Sequence, residues 1–108
     1  MKLENTKAQM RKGILEYCVL SMLSQKEAYA SEMIEKLKNA NLLVVEGTIY
    51  PLLTRLKNDG LLTYRWEEST GGPPRKYYLI THLGQDMLKE LHKSWHELVN
   101  AVSKVTSI

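Results

Sequence analysis

The stretch Gly47-Thr48-Ile49-Tyr50-Pro51-Leu52-Leu53-Thr54-Arg55-Leu56-Lys57-Asn58-Asp59-Gly60-Leu61-Leu62 decides the fold. It is followed after a short gap by Gly72-Pro73-Pro74-Arg75-Lys76-Tyr77-Tyr78-Leu79-Ile80-Thr81. Ile49, Leu52, Leu53 and Leu56 fall at i, i+3, i+4 and i+7, which makes one apolar stripe on a helix. Pro51 has no N–H, so it fits only the first few helical positions, whose N–H groups lack an acceptor within the helix. That sets the N-cap near Thr48, a good capping residue. Gly60 ends the helix as a left-handed residue after Asn58-Asp59. Residues 61–67 then have strand composition, with Leu62, Tyr64 and Trp66 on one face and Thr63 and Arg65 on the other. Tyr64 and Trp66 are expected to cover the core beneath the sheet. Residues 69–74 form a turn by composition, and residues 76–81 return as the second strand. Tyr77 and Tyr78 alternate, so one should be buried and the other exposed.

Working outward, residues 10–24 place Ile14, Leu15, Cys18, Val19, Met22 and Leu23 at helical spacing. Residues 1–9 are polar and expected to fray. Gln25-Lys26-Glu27 is a polar break before a second helix over residues 30–39, with Met33, Ile34 and Leu37 on one face. Ser31 or a neighbour suits its cap. Residues 42–45 are a short apolar connection. Three helices feeding a hairpin with a Gly/Pro tip and basic flanks are the plan of a winged helix-turn-helix, whose third helix usually enters the major groove of DNA. The fold class is therefore mainly α with a small β-hairpin (α+β).

The last helix is expected over residues 82–106. Leu88, Leu91, Trp95, Leu98, Val102 and Val105 are spaced 3, 4, 3, 4 and 3 apart, a heptad seam. Such a helix is about 35 Å long, more than a small winged helix can cover. The expected consequence is a homodimer in which these six residues pack against the partner chain; the alternative is that the seam folds back on the first helix. The chain thus reads as one compact unit with a winged-helix part (1–81) and a C-terminal dimerisation helix (82–108).

Bulk properties narrow the function. The chain has 108 residues, enough for one domain, and a formal net charge of +3 that suits a nucleic-acid partner without requiring one. The one cysteine, Cys18, sits in an apolar stretch and reads as a small buried hydrophobe rather than a reactive thiol. No run reaches the ~18 apolar residues of a membrane span, and residues 1–5 lack an apolar signal segment. No membrane partner is expected, and the expected location is cytoplasmic. Walker, nucleophile-elbow and Gly-x-Gly-x-x-Gly motifs are absent. Glu67 and Glu68 are adjacent on a strand and point to opposite faces, so they do not form an acid–base pair. No enzyme activity and no cofactor are expected. His92 and His96 have an i, i+4 spacing that could share a metal, but no third ligand is apparent, so no metal site is assigned.

With the stripe of the third helix buried, Thr48, Tyr50, Pro51, Thr54, Arg55, Lys57 and Asn58 face outward. The N-terminal residues of a recognition helix go deepest into the groove, so Thr48, Tyr50, Pro51 and Thr54 are the candidates for base or sugar contact. Arg55, Lys57 and Asn58 sit later and suit backbone contact or solvent. On the wing, Arg65, Arg75 and Lys76 flank the tip and Glu67 and Glu68 oppose them. Lys2, Lys7, Arg11 and Lys12 near the N-terminus either reach phosphates or solubilise the terminus.

Gly47-Thr48-Ile49-Tyr50-Pro51-Leu52-Leu53, Arg55-Leu56, Gly60-Leu61-Leu62, Gly72-Pro73-Pro74-Arg75-Lys76-Tyr77-Tyr78, Thr81 and Gly84 together resemble the PadR family of bacterial transcriptional regulators, over nearly the whole chain. The single C-terminal helix is similar to the compact subgroup. The resemblance implies a homodimer on palindromic operator double-stranded DNA, usually repressing. It also implies that Thr48 and Tyr50 face DNA and that Arg75 and Lys76 touch its backbone. Where the family often has Gly-Tyr at the start of the second helix, the reading here is Ala30-Ser31. Glu46 places a negative charge near DNA or favours the helix N-terminus. Some similar regulators bind planar aromatic effectors between the C-terminal helices with a tryptophan, and Trp95 lies in a comparable place. Its alternative role is to fill the dimer core. The alternative function is a winged-helix protein-interaction adaptor without specific DNA binding.

Overall fold

The apolar stripes read above meet in one core. In the computed structural model, which describes residues 1–43 and 45–107, the order is α1 (Lys2–Gln25), α2 (Ala30–Asn39), a 3₁₀ turn (Glu46–Thr48), α3 (Ile49–Asn58), β1 (Leu62–Ser69), β2 (Gly72–Ile80) and α4 (His82–Thr106). Val44 of the 42–45 connection and Ile108 lie outside the described residues. Ile49, Leu53 and Leu56 of α3 are fully buried with Val19 and Leu20 of α1, Met33 of α2, and Leu61 and Leu62 entering β1. Leu52 is only partly buried, at the edge of that cluster.

The helices begin differently from expectation. α1 starts at Lys2, so residues 2–9, expected to fray, are drawn into the helix. Strong helix formers such as Lys, Glu, Ala, Gln, Met and Arg carry that polar turn without any apolar periodicity. The N-cap of α2 is Tyr29, not Ser31, and its N–H donates to the Glu32 carboxylate at 2.9 Å. This is the Glu half of a capping box. Thr48 is the N-cap of α3 as expected, but its hydroxyl makes no cap bond. Pro51 occupies the third helical position and has no N–H to offer. The hydroxyl instead donates to the Val45 carbonyl at 2.8 Å and closes the 3₁₀ turn.

The hairpin pairs Leu62 with Ile80, Tyr64 with Tyr78 and Trp66 with Lys76. Its turn is Thr70-Gly71, with Gly71 at φ +78°, and β2 already begins at Gly72. The turn expected over residues 69–74 is therefore mostly strand. Pro73 and Pro74 are accommodated because the register shifts between Glu67 and Ser69, so no ladder N–H is needed from them. Tyr77 and Tyr78 are both half-buried rather than split between core and solvent. Ala28 adds a single bridge to the free edge of β2, its N–H donating to the Tyr78 carbonyl at 3.2 Å and its carbonyl accepting from the Tyr78 N–H at 2.8 Å. That second face-forming contact holds both tyrosines between elements. Trp66, expected over the core, is 59% exposed because the hairpin runs on past the core's edge.

α4 is joined tightly to what precedes it. Gly60 has φ +80°, the left-handed stop expected of it. Its carbonyl accepts from the Thr81 hydroxyl at 2.6 Å, and the same hydroxyl accepts from the Gly84 N–H at 3.0 Å, capping α4. The heptad seam divides. Leu88 and Leu91 pack on the chain's own core, whereas Leu98, Val102 and Val105 are exposed and Trp95 only partly covered. Folding back on the first helix thus accounts for the first third of the seam only.

Gly84 is buried, and a methyl group there would collide with the Leu61 carbonyl oxygen and stand 2.6 Å from Ile80 Cγ1. Gly84→Ala is expected to lower stability by about 1–3 kcal/mol. Urea unfolding should show a lower midpoint at unchanged slope. An unchanged midpoint would mean that α4 does not seat on Leu61 in this way.

Candidate nucleic-acid interface

The inner face of α3 is buried, so its outer face is set. Tyr50, Pro51 and Thr54 are exposed there, with Thr48 at its N-terminal end. These are the residues expected to read DNA, and the structure brings them together on one surface. Glu46 does not add an open negative charge to it, because Lys38 pairs with that carboxylate at 2.7 Å.

Arg55 is placed differently. Its guanidinium meets Glu16 of α1 at 2.5 Å and Asp59 at 3.5 Å. The hydrogen bond it donates to Glu16 holds the guanidinium still more firmly protonated than usual. The side chain is thereby tied to α1, and its charge is balanced within the chain. Arg65 is treated likewise. It pairs closely with Glu27 and reaches Glu67 at 3.5 Å. The Arg65 hydrogen bond draws the Glu27 carboxyl below its ordinary range.

The remaining wing cations rest on aromatic rings. The Arg75 guanidinium stands 4.7 Å from the centre of Tyr29, whose ring stacks on Tyr77 at 3.9 Å. Arg65 covers the other side of Tyr77 at 4.5 Å. The result is a layered column: Arg75, Tyr29, Tyr77, Arg65. On the opposite face, Lys76 lies 4.5 Å from Tyr64 and 5.3 Å from Trp66, and Lys57 of α3 lies 5.8 Å from Tyr64. Among the described residues no carboxylate pairs with Lys57, Arg75 or Lys76 within 4.0 Å. The open positive charge beside α3 therefore comes from two lysines and Arg75, not from Arg55 or Arg65.

Two groups escaped the sequence reading. Tyr29, the N-cap of α2, cements the wing to the start of that helix through its stacking on Tyr77 and its contact with Arg75. Trp66 and Lys76 were not assigned together because their proximity depends on the hairpin register. A turn placed at Thr70-Gly71 would have set Trp66 opposite Lys76.

At the other end of the molecule, α1 and α4 diverge. Met10, Ile14, Trp95, Leu98, Val99 and Val102 line an open apolar groove of about 520 Å³. The Tyr17 ring lies 6.4 Å from Trp95, and its hydroxyl is 2.7 Å from His92 Nδ1. His92 and His96 meet edge to face at 4.8 Å. Among the described residues no group of three His, Cys, Asp or Glu side chains is placed to hold a metal. Burial pushes the Cys18 thiol above its ordinary pKa, which disfavours the reactive thiolate. No described helix is long and apolar enough to cross a membrane.

The sequence profile of the transcriptional regulator PadR-like family matches residues 19–90. A solved PadR-like transcription factor from Bacteroides fragilis is 60% identical, with a TM-score of 0.77 over 94% of this chain and 98% of that one. A PadR family transcriptional regulator from Eggerthella lenta superposes with a TM-score of 0.87 at 34% identity, over 96% of this chain and 91% of that one. Transcriptional regulator Rv3488 of Mycobacterium tuberculosis is 27% identical over 94 residues, covering 87% of each chain. The winged helix, the buried and outward faces of α3 and these likenesses agree: the chain belongs to the PadR-like family of transcriptional regulators and is a DNA-binding regulator rather than an enzyme.

Proposed function

We propose that this regulator is a homodimeric repressor that reads a palindromic operator with α3. Thr48, Tyr50, Pro51 and Thr54 enter the major groove, and Arg75 and Lys76 hold the backbone. The observation that carries this reading is the separation of charge around α3. Its exposed N-terminal face is neutral and hydrogen-bonding, and it is flanked by cations that lack carboxylate partners. A neutral reading surface with cationic flanks suits base readout with phosphate positioning. Arg55 acts indirectly in this scheme: its bridge to Glu16 ties α3 to α1.

The dimer forms through α4. Trp95, Leu98, Val102 and Val105 are apolar and unpartnered, and they continue into the groove lined by Met10 and Ile14. A second copy related by a two-fold axis covers both. Leu88 and Leu91 then act from beneath, fixing α4 to its own core. Trp95 stands beside this groove with one ring face partly open, which suits a planar aromatic effector held between the two α4 helices. Such a ligand shifts operator affinity, and operator shifts ligand affinity by the same factor.

Selection of fragmented host DNA on the purified protein is expected to enrich an inverted repeat, and a Thr48→Ala/Tyr50→Ala variant is expected not to. Enrichment of no sequence by the wild type would favour the adaptor function instead. In binding titrations, Arg75→Ala should weaken operator and random DNA about equally and flatten the salt dependence by about one unit of slope. Arg55→Ala should leave that slope unchanged, because its charge is already balanced by Glu16 and Asp59. A flattened slope for Arg55→Ala would place its guanidinium on a phosphate. Leu98→Glu should convert the dimer to a monomer in sedimentation and abolish cooperative binding to the full palindrome; a dimer that persists would move the interface away from α4.

A further inference from the structure

We propose that Trp66, held by Tyr64, Lys57 and Lys76, is a second DNA contact that grips the sugar–phosphate backbone flanking each half-site. The proposal rests on the DNA-binding reading above and adds a residue that neither the recognition helix nor the wing tip supplies. Three observations carry it.

The first is exposure. Trp66 is 59% exposed although it lies on the same strand face as the buried Leu62 and the half-buried Tyr64, because the hairpin carries it past the edge of the core. A single exposed apolar ring is ordinary, so its weight here comes from the cations around it.

The second is charge. Lys76 stands over both Tyr64 and Trp66, and Lys57 stands over the same Tyr64 ring. Neither ammonium has a carboxylate partner among the described residues. The opposite strand face is different, since its Arg65 is balanced by Glu27 and Glu67. The Trp66 face therefore presents two ammonium groups, with Glu68 nearer the tip and pairing with neither of them within 4.0 Å. That complementarity selects a polyanion over an apolar peptide or a second copy of this chain.

The third is continuity. Lys57 belongs to α3, and it links the patch to the recognition helix through the Tyr64 ring. Tyr64 meets Trp66 edge-on at 85° with centres 6.0 Å apart, which fixes the indole plane. The surface from α3 to Trp66 is thus unbroken and partly preorganised. An indole beside two cations packs on deoxyribose while the ammonium groups take the adjoining phosphates. This contact is indifferent to base identity.

The test compares two duplexes carrying the selected operator. One is trimmed to the inverted repeat, and the other is extended by about one helical turn (~10 bp) on each side. The wild type should bind the extended duplex several-fold more tightly. Trp66→Ala should lose that several-fold advantage on the extended duplex and nothing on the trimmed one. Lys57→Gln should behave likewise and flatten the salt slope on the extended duplex alone. A second readout does not depend on affinity. The chain has two tryptophans, so 5-fluorotryptophan gives two fluorine resonances, and Trp66→Phe assigns them. The Trp66 resonance should move with the extended duplex and not with the trimmed one. Equal binding of wild type and Trp66→Ala to both duplexes, with that resonance still, overturns the proposal while leaving α3 reading intact. A Trp66 resonance that follows protein concentration and not DNA also overturns it, because a second copy then occupies the patch. A wild type that binds neither duplex removes the DNA reading itself.

Discussion

The burial of one face of α3 is the constraint on which the rest depends. Ten residues of helix are marginal alone in water, so α3 exists because Ile49, Leu53 and Leu56 complete a core built from α1, α2 and the start of β1. Once those three side chains are inside, the rotation of the helix about its axis is settled. Tyr50, Pro51 and Thr54 have nowhere to go but outward. The 3₁₀ turn ahead of it and the missing N–H of Pro51 leave the N-terminal turn without side-chain caps. The Thr48 and Ile49 N–H groups are instead taken up by the Val45 and Glu46 carbonyls of that turn.

Charge is arranged around this helix by cancellation as much as by placement. A net charge of +3 is too small to define a DNA surface by itself. Exposed ion pairs contribute little stability, so the effect of Glu16, Asp59, Glu27 and Glu67 lies mainly in what they remove. They neutralise Arg55 and Arg65, both of which are close enough to α3 or the wing to compete for phosphate. What stays open is Lys57, Lys76 and Arg75, each resting against an aromatic ring. A cation over a ring is held in place without being discharged. The field beside α3 is thus concentrated where rings hold lysines or Arg75.

Periodicity made α2, α3 and α4 legible almost to the residue, because each carries a one-sided apolar stripe. Gly60 was legible because a left-handed stop leaves few other choices. The first eight residues of α1 were not, since they are helical by intrinsic preference and bury almost nothing that a pattern could reveal. The start of β2 was missed for a related reason: Pro73 and Pro74 read as turn until a bulge frees them from ladder bonding. Of the candidate site, the outward face of α3 followed directly from its buried one. The pairing of Arg55 with Glu16 did not, because those residues are 39 positions apart and meet only through the packing of α3 on α1. Trp66 shows the limit of alternation: it assigns the face of a strand but not how far the core extends beneath it.

The junction between α3 and α4 ties the helix proposed to read the operator to the helix proposed to form the dimer. The Thr81 hydroxyl bonds the last carbonyl after α3 and caps α4 in the same geometry. Gly84 then brings the α4 backbone against Leu61 with no side chain between them. Contact this close leaves little freedom, so the first turns of α4 and the winged helix move as one body. Beyond Leu91 the helix leaves the core and keeps only the contacts of His92 and Trp95 with Tyr17 before its apolar face lies open. In the proposed dimer, any ligand beside Trp95 that changes how the two far halves of α4 meet must therefore change the separation and tilt of the two α3 helices. A palindrome has a fixed half-site spacing, so only one arrangement fits. The coupling is limited to the difference in ligand affinity between the arrangements, and the continuous α4 helix carries that difference to α3.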